Sequence, residues 1–166
     1  MKICVIGYEG SGKSTLSTTL GEIYQINTLF LDTVKYQENK VLSNEEIEEE
    51  IKLFLNINKD WVIDGNYFLI DQKRFKEADQ IIFLNFNRFY CYKKAKERSK
   101  KLLKTDLKTN PRIASFDSSF KKWILFKSRK KKYRLNYIHV INQYKDKVVE
   151  IKNIKALNTY LESLTK

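Results

Sequence analysis

Residues 7–14 read Gly-Tyr-Glu-Gly-Ser-Gly-Lys-Ser, which matches the pattern G-x-x-x-x-G-K-[ST]. Such a loop is suited to holding phosphate. Gly7, Gly10 and Gly12, with Ser11 among them, let the backbone turn tightly enough for successive N–H groups to point at one anion. Lys13 reaches the β- and γ-phosphates of a nucleoside triphosphate and neutralises charge as the terminal bond breaks. Ser14, followed by Thr15, offers a hydroxyl to Mg²⁺, and the helix beyond directs its positive end at the ligand. The spacing does not separate ATP from GTP.

A triphosphate loop needs a carboxylate at a neighbouring strand end to hold Mg²⁺, directly or through water. Trp61-Val62-Ile63-Asp64-Gly65 is an apolar run ending in such an acid; the alternative is an aspartate capping the turn before Gly65. Leu31-Asp32 has the same form. Asp32 either accepts a proton from a substrate hydroxyl, assists the metal, or caps a turn.

Arg88 follows the fourth apolar run and Arg98 lies further along the next helix; the guanidinium fork suits phosphate, although most surface arginines are only solvated. Lys121, Lys122, Lys127, Arg129, Lys130, Lys131, Lys132 and Arg134 make a dense basic segment. The four consecutive cations from Arg129 to Lys132 cannot share one helix face, so some face water. Phe116, Phe120, Trp123, Phe126 and Tyr133 are interspersed with them, a mixture that can stack nucleic-acid bases. The i, i+4, i+7 spacing of Phe116, Phe120 and Trp123 instead favours a stripe facing the core.

These groups must be positioned by a chain of 166 residues, enough for one domain spanning residues 1–166 with its own apolar core. Hydrophobic residues make up 42% and charged residues 31%, a globular rather than disordered composition. The net charge of +12 is either a surface for anionic partners or a solubilising excess of lysine. His139 is the only histidine, which rules out a Ser-His-Asp triad and a histidine metal cluster. Cys4 and Cys91 lack metal spacing and read as small buried thiols. No apolar run reaches membrane-spanning length and the N-terminus has no leader pattern, so a cytoplasmic location and no membrane contact are expected.

Apolar runs alternate with helical patterns throughout, the signature of an α/β domain with a largely parallel sheet. Strands are expected at Lys2–Ile6, Thr28–Leu31, Trp61–Ile63, Gln80–Leu84 and Lys147–Ile151. A helix carrying Leu16, Leu20, Ile23 and Tyr24 follows the glycine loop. A second carries Ile47, Ile51, Phe54 and Leu55 behind a Ser43/Glu46 capping box. Further helices are expected within Tyr67–Glu77, over Phe89–Leu103, from about Phe116 to Tyr144, and over Ile154–Leu164. Thr105–Ser115, with Asn110-Pro111, reads as a loop.

Taken in order, GYEGSGKST, Leu31-Asp32, WVIDGNY (Trp61–Tyr67), ADQIIFLNFNR (Ala78–Arg88) and the basic aromatic segment Phe116–Leu135 resemble a bacterial, adenylate-kinase-related family often called DNA topology modulation proteins. The resemblance spans nearly the whole chain, and WVIDGNY is its most distinctive element. It implies a three-layer P-loop fold like that of nucleoside monophosphate kinases. The sheet would have five parallel strands in order 2-3-1-4-5, with a helical lid at about 104–116. It implies ATP and Mg²⁺ at Gly7–Ser14 with Asp64 near the metal, and Asp32, Gly65, Asn66 and Tyr67 bordering an acceptor pocket. Arg98, Arg112 and Arg129 would then serve the donor nucleotide, and Arg88 and Arg134 the acceptor. The chain departs from the family pattern at Asn85, Asn87 and Ser99, where an acid, a proline and a basic residue are usual.

Two functional readings follow. In the first, the protein transfers the γ-phosphoryl group of ATP to a nucleotide or other small acceptor, with Lys13, Asp32, Asp64 and Arg98 as the catalytic groups. In the second, it is a nucleotide-binding protein that contacts DNA or RNA through the basic helix.

Overall fold

Three apolar runs form the centre of the sheet, because each is hydrophobic at consecutive positions and a strand points consecutive side chains to opposite faces. In the computed structural model, which describes residues 1–102 and 116–164, these are β1 (Lys2–Gly7), β3 (Trp61–Asp64) and β4 (Gln80–Leu84). The edges are β2 (Asn27–Phe30) and β5 (Val148–Ile151), whose residues are mostly half-exposed. All pairings are parallel and the order is β2-β3-β1-β4-β5, as expected. Ile3, Val5 and Ile6 are fully buried, so helices cover both faces of β1.

Eight α-helices lie among the described residues. After β1 comes α1 (Lys13–Tyr24), which packs on β1, β2 and β3. The β2–β3 crossover holds a short α2 (Leu31–Lys35) and α3 (Asn44–Ile57). The capping box at the start of α3 is present, with Glu46 N donating to Ser43 Oγ at 3.2 Å and Ser43 N to Glu46 Oε2 at 2.8 Å. Helix α4 (Lys73–Glu77) precedes β4 and α5 (Arg88–Leu102) follows it. Then come α6 (Ser118–Leu125), α7 (Lys131–Gln143) and, after β5, α8 (Ile154–Leu164). No helix among the described residues is long and apolar enough to cross a membrane. The expected lid and Arg112 fall outside the described residues, apart from Phe116 at the lid's end.

The structure corrects two expectations. Leu31 begins α2 rather than ending β2, so Asp32 stands in the first turn of a helix. The single long helix expected from Phe116 to Tyr144 is two helices joined by a 3-10 turn at Lys127–Arg129. The reason is the placement of inward residues. Ser128 and Tyr137 are both buried, yet an unbroken helix would put them about two and a half turns apart, on opposite faces. The turn and the extended Lys130 (φ −65°, ψ 151°) reset the phase, so that Ile124 and Ser128 point inward, as do Tyr137 and Val140. Phe116, Phe120 and Trp123 pack against the core as the spacing predicts.

Candidate functional site

The glycine loop joins β1 to α1 at the carboxyl edge of the sheet, beside the ends of β3 and β4. Gly12 occupies the N-cap of α1 in a left-handed conformation (φ 93°), and no side chain caps the helix. A Cβ built on Gly12 meets nothing within 4 Å, so the space in front of it is open. Gly10 is also left-handed (φ 79°), but a Cβ on it would collide with the Cys91 carbonyl of α5. Gly12 is thus favoured by its backbone conformation alone, and Gly10 by both its conformation and the backbone behind it.

Asn66 fixes the root of the loop. Its side chain accepts from Gly7 N at 3.1 Å and donates to Gly7 O at 2.9 Å. Tyr137 of α7 donates to the same carbonyl at 3.1 Å. Asn66, read from the resemblance as an acceptor-pocket residue, therefore spends its amide on the glycine loop. Gly65 is buried beside it, against Leu31.

At the front of the loop, Ser14 Oγ donates to Asp64 Oδ2 at 2.7 Å. Asp64 is 6% exposed and its Oδ1 is buried without a partner; Ser11 Oγ is likewise buried and unpartnered. Burial pushes the Asp64 pKa up, against the attraction of the Lys13 ammonium and the Ser14 hydrogen bond. A buried carboxylate with a free oxygen beside an exposed hydroxyl suits a hard divalent cation. Lys13 itself is half-buried and leans back to donate to Tyr8 O at 3.4 Å. Thr15 is exposed on the first turn of α1.

Asp32 faces this group from α2. Tyr67 donates its hydroxyl to Asp32 Oδ1 at 2.8 Å, and Lys35 Nζ sits 5.3 Å from the centre of the Tyr67 ring. Asp32 also contributes to raising the Asp64 pKa, and its charge acts on Arg98. Arg98 is exposed, yet the surrounding protein lowers its pKa, with Asp32 pulling the other way. Ser14 with Asp64 and Asp32 with Tyr67 are thus two hydrogen-bonded pairs at the carboxyl edge, near enough to Lys13 and Arg98 for their charges to act on the two acids.

Arg88, Arg129 and Arg134 are not among these groups. They line a separate crevice with Tyr8, and neither Asp32, Gly65, Asn66 nor Tyr67 borders that space. Arg129 donates to Phe86 O at 2.6 Å and its guanidinium stands 3.3 Å from the Tyr8 ring centre.

Sequence reasoning missed Arg74. This arginine is fully buried in α4 and donates through Nη2 to Tyr67 O at 3.0 Å and Asn66 O at 3.5 Å. It lies over the Phe75 ring, while its Nε and Nη1 have no partner. The only signal in the chain was a cation in a short helix, which reads as solvated. Tyr137 was missed for a different reason: its partner Gly7 lies 130 residues away in the chain, and its ring meets that of Tyr8 only in the folded protein.

No model of a known protein family matches this chain, and no curated protein matches it.

Proposed function

We propose that the protein is a phosphotransferase that moves the γ-phosphoryl group of ATP to a small acceptor held beside Asp32 and Tyr67. The observation that carries this reading is the Ser14–Asp64 hydrogen bond in front of an open glycine loop, with Lys13 alongside. The phosphates would lie along the backbone N–H groups of Gly10–Thr15, over the open space at Gly12. Ser14 and Asp64 would hold Mg²⁺, whose charge offsets that of the phosphate oxygens. The buried, unpartnered Asp64 Oδ1 supports that fit.

Phosphoryl transfer is largely positioning and charge neutralisation. The acceptor oxygen bonds to the γ-phosphorus while the bond to the β,γ-bridging oxygen breaks, and ADP leaves. Lys13 and Arg98 supply positive charge around the transferring group. If the acceptor is a hydroxyl, its proton passes to Asp32, which Tyr67 orients. If the acceptor is itself a phosphate, its oxygen is already ionised and Asp32 only positions it.

Nucleic acid is the weaker alternative. Several lysines of the basic segment are exposed, but its rings are engaged: Phe116 contacts Tyr92 and Phe120, and Trp123 packs on Tyr133. Of these aromatics only Phe126 is mostly exposed, which leaves little for base stacking.

The test is product chromatography of purified protein with ATP-Mg²⁺ and a panel of nucleosides, nucleoside mono- and diphosphates and small polyols. ADP formed in step with a phosphorylated product, and lost in Lys13→Ala, supports the reading. Turnover unchanged in that variant overturns it.

A further inference from the structure

Three arginines from three separate pieces of chain converge on one crevice behind the glycine loop. Arg88 opens α5, Arg129 ends the 3-10 turn, and Arg134 lies in the first turn of α7. With Tyr8 on one side and Ile138 and Ile141 on another, they border a half-open crevice of about 430 Å³, room for a small organic ligand.

Three guanidiniums face this space against two carboxylates, Glu150 on its wall and Glu9, whose charge acts on Tyr8 and Tyr137. None of the three arginines forms an ion pair among the described residues. The carboxylate on the wall, Glu150, is already engaged: it accepts from Asn85 Nδ2 at 2.7 Å and lies 3.3 Å from Lys152 Nζ. Two of the guanidiniums are held in place by main-chain carbonyls, Arg88 by Leu125 O at 3.1 Å and Arg129 by Phe86 O at 2.6 Å. Each bond uses one nitrogen of a fork that has several N–H groups, and Arg129 Nε is buried with no partner at all. Gathering three like charges is unfavourable unless an anion joins them.

We infer that this crevice is a second anion site, taking a small phosphate-bearing molecule, distinct from the triphosphate cradle of the glycine loop. Three planar forks match the two or more negative charges of a phosphomonoester or diphosphate better than the single charge of a carboxylate. The apolar wall takes the body of the ligand. The site touches the glycine loop from behind: Arg129 lies on Tyr8, and Tyr137, also on the crevice wall, holds Gly7 O. An occupant therefore shares two contacts with the loop, and its binding and that of the nucleotide should be reciprocally linked.

The inference stands independently of the phosphotransferase reading and is tested apart from it. The full-length protein is titrated calorimetrically with inorganic pyrophosphate, adenosine 5′-monophosphate and adenosine, at two salt concentrations. The proteins compared are the wild type, Lys13→Ala, and Lys13→Ala combined with either Arg88→Gln/Arg134→Gln or Arg134→Glu. Circular dichroism and thermal unfolding confirm that each is folded. Lys13→Ala should keep one pyrophosphate event of one-to-one stoichiometry that weakens with salt. Both arginine combinations should weaken that event at least tenfold; Arg134 is exposed, so its replacement leaves the core intact. Adenosine should not bind, and the monophosphate tells whether the source is a nucleotide or a free phosphate. Absence of pyrophosphate binding in folded Lys13→Ala overturns the inference, as does binding that survives both arginine combinations or adenosine binding as tightly as its monophosphate.

Discussion

Ser14 Oγ and Asp64 Oδ2 meet at 2.7 Å although 50 residues separate them in the chain. Parallel pairing of β1 with β3 in the register Val5↔Asp64 makes this contact, because it brings the acid to the level of the loop that leaves β1. The hydrogen bond holds one carboxylate oxygen and leaves the other buried and unpartnered.

Asp64 is therefore a group whose charge is held at a cost. Burial raises its pKa above the ordinary 3.8 despite Lys13 and Ser14. The folded state then holds the proton more tightly than the unfolded chain. Stability from this group is fully present below the unfolded value and is lost as pH rises through the raised one. Asp64→Asn should accordingly melt at or above the wild-type temperature in EDTA at pH 7. Mg²⁺-ATP should stabilise the wild type but leave the variant nearly unmoved. Differential scanning fluorimetry reads both, and an Asn variant that gains as much from Mg²⁺-ATP as the wild type contradicts the role given to Asp64.

Gly10 and Gly12 should respond differently to alanine. At Gly10 the added methyl strikes the Cys91 carbonyl, and overpacking plus left-handed strain should cost about 2–4 kcal/mol of stability. At Gly12 the methyl meets no protein atom, so the cost is strain of about 1 kcal/mol. In the proposed binding mode Gly12→Ala should still lose nucleotide affinity, because its methyl would enter the space proposed for phosphate. Urea denaturation alongside nucleotide titration separates the two effects.

Arg74→Ala should destabilise the protein by about 3 kcal/mol through the cavity it leaves and the carbonyls it abandons. Because the freed carbonyls belong to Asn66 and Tyr67, the KM for the acceptor should rise more than the KM for ATP. Steady-state kinetics at a temperature where the variant is folded gives the comparison; equal changes in both constants would mean that Arg74 is only a core residue.

Asp32→Asn distinguishes acceptor types. With a hydroxyl acceptor the loss of the base should lower kcat by about 10²–10⁴-fold. With a phosphate acceptor the loss should be only a few-fold, since the amide can still accept from Tyr67. Rate measurements on whichever acceptor the product panel identifies give the answer.

Both cysteines should be inert in the native protein. Burial pushes the Cys4 thiol up to about 12 and raises that of Cys91, so neither presents a thiolate near neutral pH. Iodoacetamide at pH 8 should leave the folded chain unmodified and label two sites after denaturation, as read by intact-mass spectrometry.

The sheet and most helices were legible in the sequence because their signals are local. Unbroken apolar runs define the buried strands, the Ser43–Glu46 pair marks the start of α3, and Gly7–Ser14 carries its own turn chemistry. The stripe Phe116–Phe120–Trp123 announced its core-facing side by spacing alone. Periodicity could not reveal the break at Lys127–Arg129, since it depends on which residues of α6 and α7 meet the same core.

Local patterning alone specifies an α/β chain with a parallel sheet and a glycine-rich turn after its first strand, and it marks Asp32 and Asp64 as acids that follow apolar runs. Tertiary structure decided which of these face one another. Strand order and register brought Asp64 to Ser14 and turned Asn66 onto Gly7; the α2 turn gave Asp32 to Tyr67. Packing of α7 behind the loop drew Arg129 and Arg134 into a crevice with Arg88, away from Asp32. The physical reason is reach. Hydrogen bonds and charges act over a few ångströms, so partners distant in sequence acquire meaning only when strand pairing and helix packing close the distance.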